Sequence, residues 1–138
     1  MENAQTHIEG LLAQGKLAEA AESCQVAILR HPTNARFHAY LGMSLFRTEQ
    51  FAPAESSFRR ATLLDPKFWE AGVKHAQCLY QLRNFEEAYK VAMEWAKVRP
   101  ADNTLRGLIE FLKPLIQGER QGWERTVNLE RKIVMHQE

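Results

Sequence analysis

Disulfide chemistry is almost closed to this chain. Its 138 residues include two cysteines, Cys24 and Cys78, too few for a disulfide framework. Both fall on expected helical core faces, and a reducing, cytoplasmic setting is the expectation. The formal net charge of +1 leaves no basic footprint for nucleic acid and no polybasic membrane patch. No apolar run approaches the ~20 residues that span a bilayer. The N-terminal stretch has no basic region followed by an apolar one, so no secretory signal is expected. No strand pattern, glycine-rich phosphate loop, nucleophile elbow or metal triad occurs, which predicts neither an enzyme nor a cofactor.

What is present is a period. Ala20, Ala54 and Ala88 share one register, and Pro32, Pro66 and Pro100 another. Leu17, Phe51 and Phe85 form a third, and Leu11, Leu45 and Leu79 a fourth. Three occurrences at this spacing predict an array of helix–turn–helix units. Residues 35–68 show the unit best. Leu41, Gly42 and Leu45, with Phe37 and His38 before them, give one face of a first helix. Thr48, Glu49 and Gln50 make a polar turn. Pro53 falls in the first turn of a second helix, where a missing N–H costs little. Ala54, Phe58, Ala61 and Leu64 form its buried stripe, and Asp65-Pro66 ends it. Small residues at Gly42 and Ala54 let the two axes approach, with Phe58 filling the space beside them.

This unit resembles a tetratricopeptide repeat, in Leu41-Gly42, Leu45, Phe51, Ala54, Phe58, Ala61 and Pro66. The flanking copies are looser: His7-Ile8, Leu11, Leu17, Ala20, Cys24, Ala27 and Pro32 before it, and His75-Ala76, Leu79, Phe85, Ala88, Ala92, Trp95 and Pro100 after it. In the third copy Ala92 stands where the second has Phe58, Trp95 where it has Ala61, and Gly72 where it has His38. A volume swap is expected, with the indole filling room vacated by Ala92 and Gly72.

Beyond residue 102 the register is lost. Leu105, Leu108, Ile109, Leu112, Leu115 and Ile116 keep a helical period, with Asp102 or Asn103 as the cap. Pro114 should kink or end that helix near Lys113. Gly118 and Gly122 bracket an expected turn. An eighth helix is expected from Trp123 to about Met135, apolar on one broad face that Glu130 interrupts. A solenoid needs a polar-faced last element to cover its open end. The expected fold is all-α: a right-handed α-solenoid of three repeats (1–34, 35–68, 69–102) plus a C-terminal helix pair (103–138), the last helix acting as a cap.

The resemblance implies a module that binds a protein or peptide partner on a concave surface lined by the first helices. Its binding positions correspond here to Arg36, Ala39, Met43, Phe46 and Arg47 in the second repeat. In the third they correspond to Val73, Gln77, Tyr80 and Gln81, with Lys74 beside them. Met43, Phe46, Val73 and Tyr80 would form an apolar strip that Phe111 continues, with Arg36 and Arg47 favouring an acidic flank on the ligand. Large aromatics on a face not needed for the core mark a contact surface. Some family members clamp a peptide's C-terminal carboxylate with five basic and amide side chains. The matching positions here are Gln5, Glu9, Tyr40, Glu70 and Lys74. Only Lys74 is basic, and two carboxylates would repel the ligand, so a carboxylate clamp is not expected.

His75 and Cys78 lie three apart on one helix face, and His7, His38 and His75 take core-facing repeat positions. A zinc site needs about four converging ligands, so packed core histidines are expected rather than a metal. Two alternative functions remain open on these residues. One is a self-assembling structural subunit, a homo-oligomer docking through the C-terminal helix. The other is a small three-repeat bacterial chaperone of secretion type.

Overall fold

The computed structural model describes residues 3–118. Six helices follow one another: α1 (Ala4–Ala13), α2 (Leu17–Arg30), α3 (Ala35–Arg47), α4 (Phe51–Leu64), α5 (Trp69–Gln81) and α6 (Phe85–Val98). A seventh, α7, covers 103–118. Among the described residues there is no strand, and no helix is long and apolar enough to cross a membrane. Each helix from α1 to α6 packs on its neighbours in sequence, and α1 also touches α3. This consecutive packing is that of an α-solenoid.

Two devices, each repeated at the sequence period, shape the chain. The first joins the helices of a pair. Gly15, Glu49 and Arg83 all have left-handed backbone, with φ of 74°, 60° and 62°. The next amide in each case reaches back to a carbonyl of the helix just ended: Lys16 to Leu11, Gln50 to Leu45 and Asn84 to Leu79, at 2.8–2.9 Å. These bonds satisfy end carbonyls that the helix itself leaves unpaired. The second device joins one pair to the next. His31, Asp65 and Arg99 each precede a proline and sit at φ of −135°, −133° and −128°, away from helical values as a following proline demands. Their carbonyls accept from Asn34, Phe68 and Asp102, each at 3.1 Å, giving turns with proline at the second position. Two of the closing residues also cap the next helix. Asn34 Oδ1 accepts from the Arg36 amide and Asp102 Oδ1 from the Leu105 amide, both at 3.0 Å.

The core runs as a chain of small clusters. Ile8, Cys24, Ala27 and Phe37 join the first pair to the second. Ala39, Ala54, Phe58, Ala61, Ala71 and Cys78 join the second to the third. Val73, Ala76 and Ala92 enclose Leu105, while Leu79 and Ala88 enclose Leu112 and Ile116, which fastens α7 onto α5 and α6. Close approach is enforced where expected: a Cβ at Gly42 would lie 2.8 Å from Phe58 Cε1. At Gly72 a Cβ would overlap the Trp95 ring itself, so the indole does occupy the room that the missing side chain leaves.

Several expectations are corrected. Of the two outcomes expected at Pro114, a kink or an end, the end does not occur: α7 continues across Pro114 to 118. Leu112 and Ile116, on either side of the proline, are both buried while Pro114 is exposed. Burial of that stripe outweighs the lost N–H, a cost of about 3 kcal/mol in a helix interior. Leu64 is half-buried rather than part of the closed stripe, and His7 is exposed rather than core-facing. The eighth helix expected from Trp123 lies outside the described residues.

Candidate functional site

Helices α3, α5 and α7 present one face together, and two hollows lie on it. The first, of about 340 Å³, is walled by Phe46 of α3, by Gln77, Tyr80 and Gln81 of α5, and by Asn103, Thr104, Gly107, Leu108 and Phe111 of α7. Its aromatic wall is built by ring packing. Tyr80 meets Phe111 edge-on at 5.7 Å between centroids and leans on Phe85 at 5.8 Å. Phe46 stands edge-on against Phe51 at 5.3 Å. Phe111 remains 54% exposed, although α7 is already anchored by Leu105, Leu112 and Ile116. The Gln77 amide oxygen is buried with no partner.

The second hollow, of about 350 Å³, lies between α3 and α5. It is lined by Arg36, Ala39, Tyr40 and Met43, with Glu70, Ala71 and Lys74 opposite and Phe58 and Phe68 deeper. The Lys74 ammonium stands 5.1 Å from the Phe46 ring centroid. That cation–π contact joins the two hollows at a charged boundary.

Of the residues expected from sequence, Phe46, Gln77, Tyr80, Gln81 and Phe111 come together in the first hollow. Arg36, Ala39, Met43 and Lys74 come together in the second. Three are placed otherwise. Ala39, only 6% exposed, belongs to the core cluster with Ala54 and Phe58 and merely floors the second hollow. Val73 is 7% exposed, covered by Leu105 of α7, so it offers no free contact; helix seven needs an apolar seat on α5, and Val73 provides it. Arg47 donates from Nη1 to the Leu12 carbonyl at 2.8 Å, closing the end of α1 instead of standing free at the rim. Phe46 and Tyr80 also lean on the core and are half-buried. The wall of α7 formed by Asn103, Thr104, Gly107 and Leu108 was missed. Thr104, Leu108 and Phe111 are spaced i, i+4, i+7, which marks a second face of that helix, weaker in apolar content than the stripe of Leu105, Leu112 and Ile116 on the core side.

Electrostatics divide the face. Tyr40 donates its hydroxyl to Glu9 Oε1 at 2.5 Å and Gln5 donates to the same oxygen at 3.0 Å. These two bonds, with the nearby Arg36 charge, hold the Glu9 carboxyl below its usual range. Burial, followed by the bond to Glu9, pushes the Tyr40 phenol up. Three positions matching the family's carboxylate clamp are thus bonded to one another around a negative charge. His75 Nε2 lies 2.9 Å from Glu55 Oε1, and His38 Nε2 lies 2.9 Å from the Pro32 carbonyl oxygen. Among the described residues no three His, Cys, Asp or Glu side chains gather as metal ligands would. Burial pushes the thiols of Cys24 and Cys78 up to about 12, which removes thiolate character.

The sequence profile of the tetratricopeptide repeat matches residues 7–67 and 41–102, and the chain belongs to this family. No curated protein matches the sequence. Solved structures match the fold. The second tetratricopeptide repeat domain of human RPAP3, in complex with the HSP70 peptide SGPTIEEVD, has a TM-score of 0.75 at 20% identity. That match covers 80% of this chain and 92% of that one. The first such domain of Spaghetti (RPAP3), bound to the HSP90 peptide SRMEEVD, has a TM-score of 0.79 at 20% identity, covering 83% and 90%. The type III secretion chaperone SycD of Yersinia enterocolitica, in complex with a peptide of the translocator YopD, has a TM-score of 0.75 at 18% identity, covering 80% and 89%. At these identities the likeness is one of fold.

Proposed function

We propose that this protein is a non-enzymatic adaptor that holds a peptide or helix of a partner protein on the face shared by α3, α5 and α7, without a carboxylate clamp. Residues 1–34, 35–68 and 69–102 serve as three repeats, of which the second and third supply α3 and α5 to the face, and α7 extends it. The observation that carries this reading is the row Phe46, Tyr80 and Phe111, three aromatic side chains on three helices bordering one open hollow. Aromatic anchors of this kind dominate interface energies. Structures of the same fold hold peptides, which supports a polypeptide ligand. The clamp is disfavoured because Glu9, bonded to Tyr40 and Gln5, faces an incoming carboxylate with like charge. A reducing, cytoplasmic setting accords with two buried free thiols.

Partner capture tests the reading. Phe46→Ala combined with Tyr80→Ala should abolish capture. Because both rings are half-buried, the melting temperature should fall as well, so binding is measured well below the transition. Leu29→Ala with Leu63→Ala serves as the control. These side chains are 83% and 68% exposed on α2 and α4, and changing them should leave capture intact. Loss of capture in the control, with the aromatic double variant still binding, would move the site to the other helices.

A further inference from the structure

We infer that the hollow between α3, α5 and α7 seats one uncharged apolar side chain, such as Leu, Met or Phe, from an internal segment of the partner peptide. The inference rests on the groove reading above and adds the chemistry of the anchor. No charged side chain lines this hollow: its walls are Phe46, Tyr80, Phe111 and Leu108, with Gln77, Gln81, Asn103 and Thr104 between them. The charged groups Arg36, Glu70 and Lys74 all line the neighbouring hollow. An ammonium pushed among the aromatic rings would lose its hydration with no acidic side chain lining the hollow, and a carboxylate would find the nearest cation, Lys74, outside the lining and already engaged with the Phe46 ring. An apolar side chain loses only unfavourable contact with water there.

Size and polarity point the same way. A space of about 340 Å³ lies near the lower bound of ligand-sized pockets. It suits a single large residue and part of its backbone rather than a folded surface. The exposed side-chain amides of Gln81 and Asn103 supply both donors and acceptors for that backbone. A charge-free anchor needs no chain end, so the bound segment can lie anywhere within the partner.

Gly107 provides the test. It forms part of the hollow's wall, and a Cβ there would meet nothing within 4 Å. A leucine at this position projects into open space, and leucine favours helix more than glycine does. Gly107→Leu should therefore block the hollow while the helical signal and melting temperature hold or rise. The probe is a pair of random peptide libraries selected on the full chain, one displayed with free C-termini and one embedded between flanking sequences. The embedded library should enrich segments with a Leu, Met or Phe anchor and no charge at that position. Affinity for the selected peptides should vary little with salt, and Gly107→Leu should lower it by about tenfold or more. Enrichment confined to free C-termini, a charged anchor, no enrichment at all, or undiminished binding by Gly107→Leu would each overturn the inference. So would self-association of the chain that Gly107→Leu abolishes, since a second copy would then be the occupant. If Met43→Ala weakens binding and Gly107→Leu does not, the groove reading stands and the anchor site falls; if neither weakens it, both fall.

Discussion

At the scale of single residues, the third helix pair is held by an exchange of volume between facing positions. Trp95 lies where a Cβ on Gly72 would be, and Ala92 is fully buried alongside. Trp95→Ala should cost about 3 kcal/mol, because the half-buried indole leaves a space its neighbours cannot fill. Gly72→Ala should cost about 1–3 kcal/mol, because the new methyl overpacks the ring. The double variant should be more stable than the sum of the two costs predicts, since alanine at 72 then fills part of the vacated room. Denaturant unfolding of the four proteins measures this coupling. Strictly additive costs would show that the ring and the glycine do not share the space. Phe58 and Gly42 follow the same logic in the second pair, where the ring rather than the facing helix supplies the bulk.

At the scale of elements, the turns within each pair carry an inherited strain. Gly15 takes left-handed backbone freely, but Glu49 and Arg83 take it at the same repeat position with a side chain attached. A residue with a Cβ in this region costs on the order of 1 kcal/mol more than glycine. Glu49→Gly and Arg83→Gly should each stabilise the protein by about 0.5–1 kcal/mol, after the added chain entropy of glycine is set against the relieved strain. Thermal unfolding reads the result. A drop in melting temperature would mean that the Glu49 or Arg83 side chain makes a stabilising contact larger than the strain. Helix α7 shows the opposite balance. There an unfavourable proline is carried through because Leu112 and Ile116 are buried on either side of it.

At the scale of the whole molecule, the clusters form a line rather than one centre. The first pair meets the second through Phe37 and its neighbours, and α7 rests only on the far end of the line. Stability in such an array is a sum of unit and neighbour terms. A lesion at one end should therefore be felt unevenly. In Trp95→Ala, amide hydrogen exchange should accelerate most in α5, α6 and α7 and least in α1 and α2. Equal acceleration along the chain would indicate a single cooperative core.

Much of this was written locally. The breaks before Pro32, Pro66 and Pro100, and a cap at Asp102 or Asn103, are decided by backbone preferences within a few residues, and so the sequence alone determined them. The structure selects Asp102 as the cap and holds Glu49 and Arg83 in left-handed backbone against their local preference. The alanine and phenylalanine registers likewise determined which faces close, because a period of 34 leaves one consistent pairing. Tertiary structure decided what depends on distant partners. Val73 of α5 and Phe111 of α7 are both large apolar residues expected on the same strip. Only the docking of α7 buries one beneath Leu105 and leaves the other at the rim of the hollow. Arg47 was a free cation until the Leu12 carbonyl, far back in the chain, came within 2.8 Å. Local grounds left Pro114 to kink or end its helix, and the apolar seat that α5 and α6 offer on both sides of it carries the helix through. Residue preference acts through the nearest bonds, whereas exposure and hydrogen-bond partners are set by whatever the completed packing brings alongside.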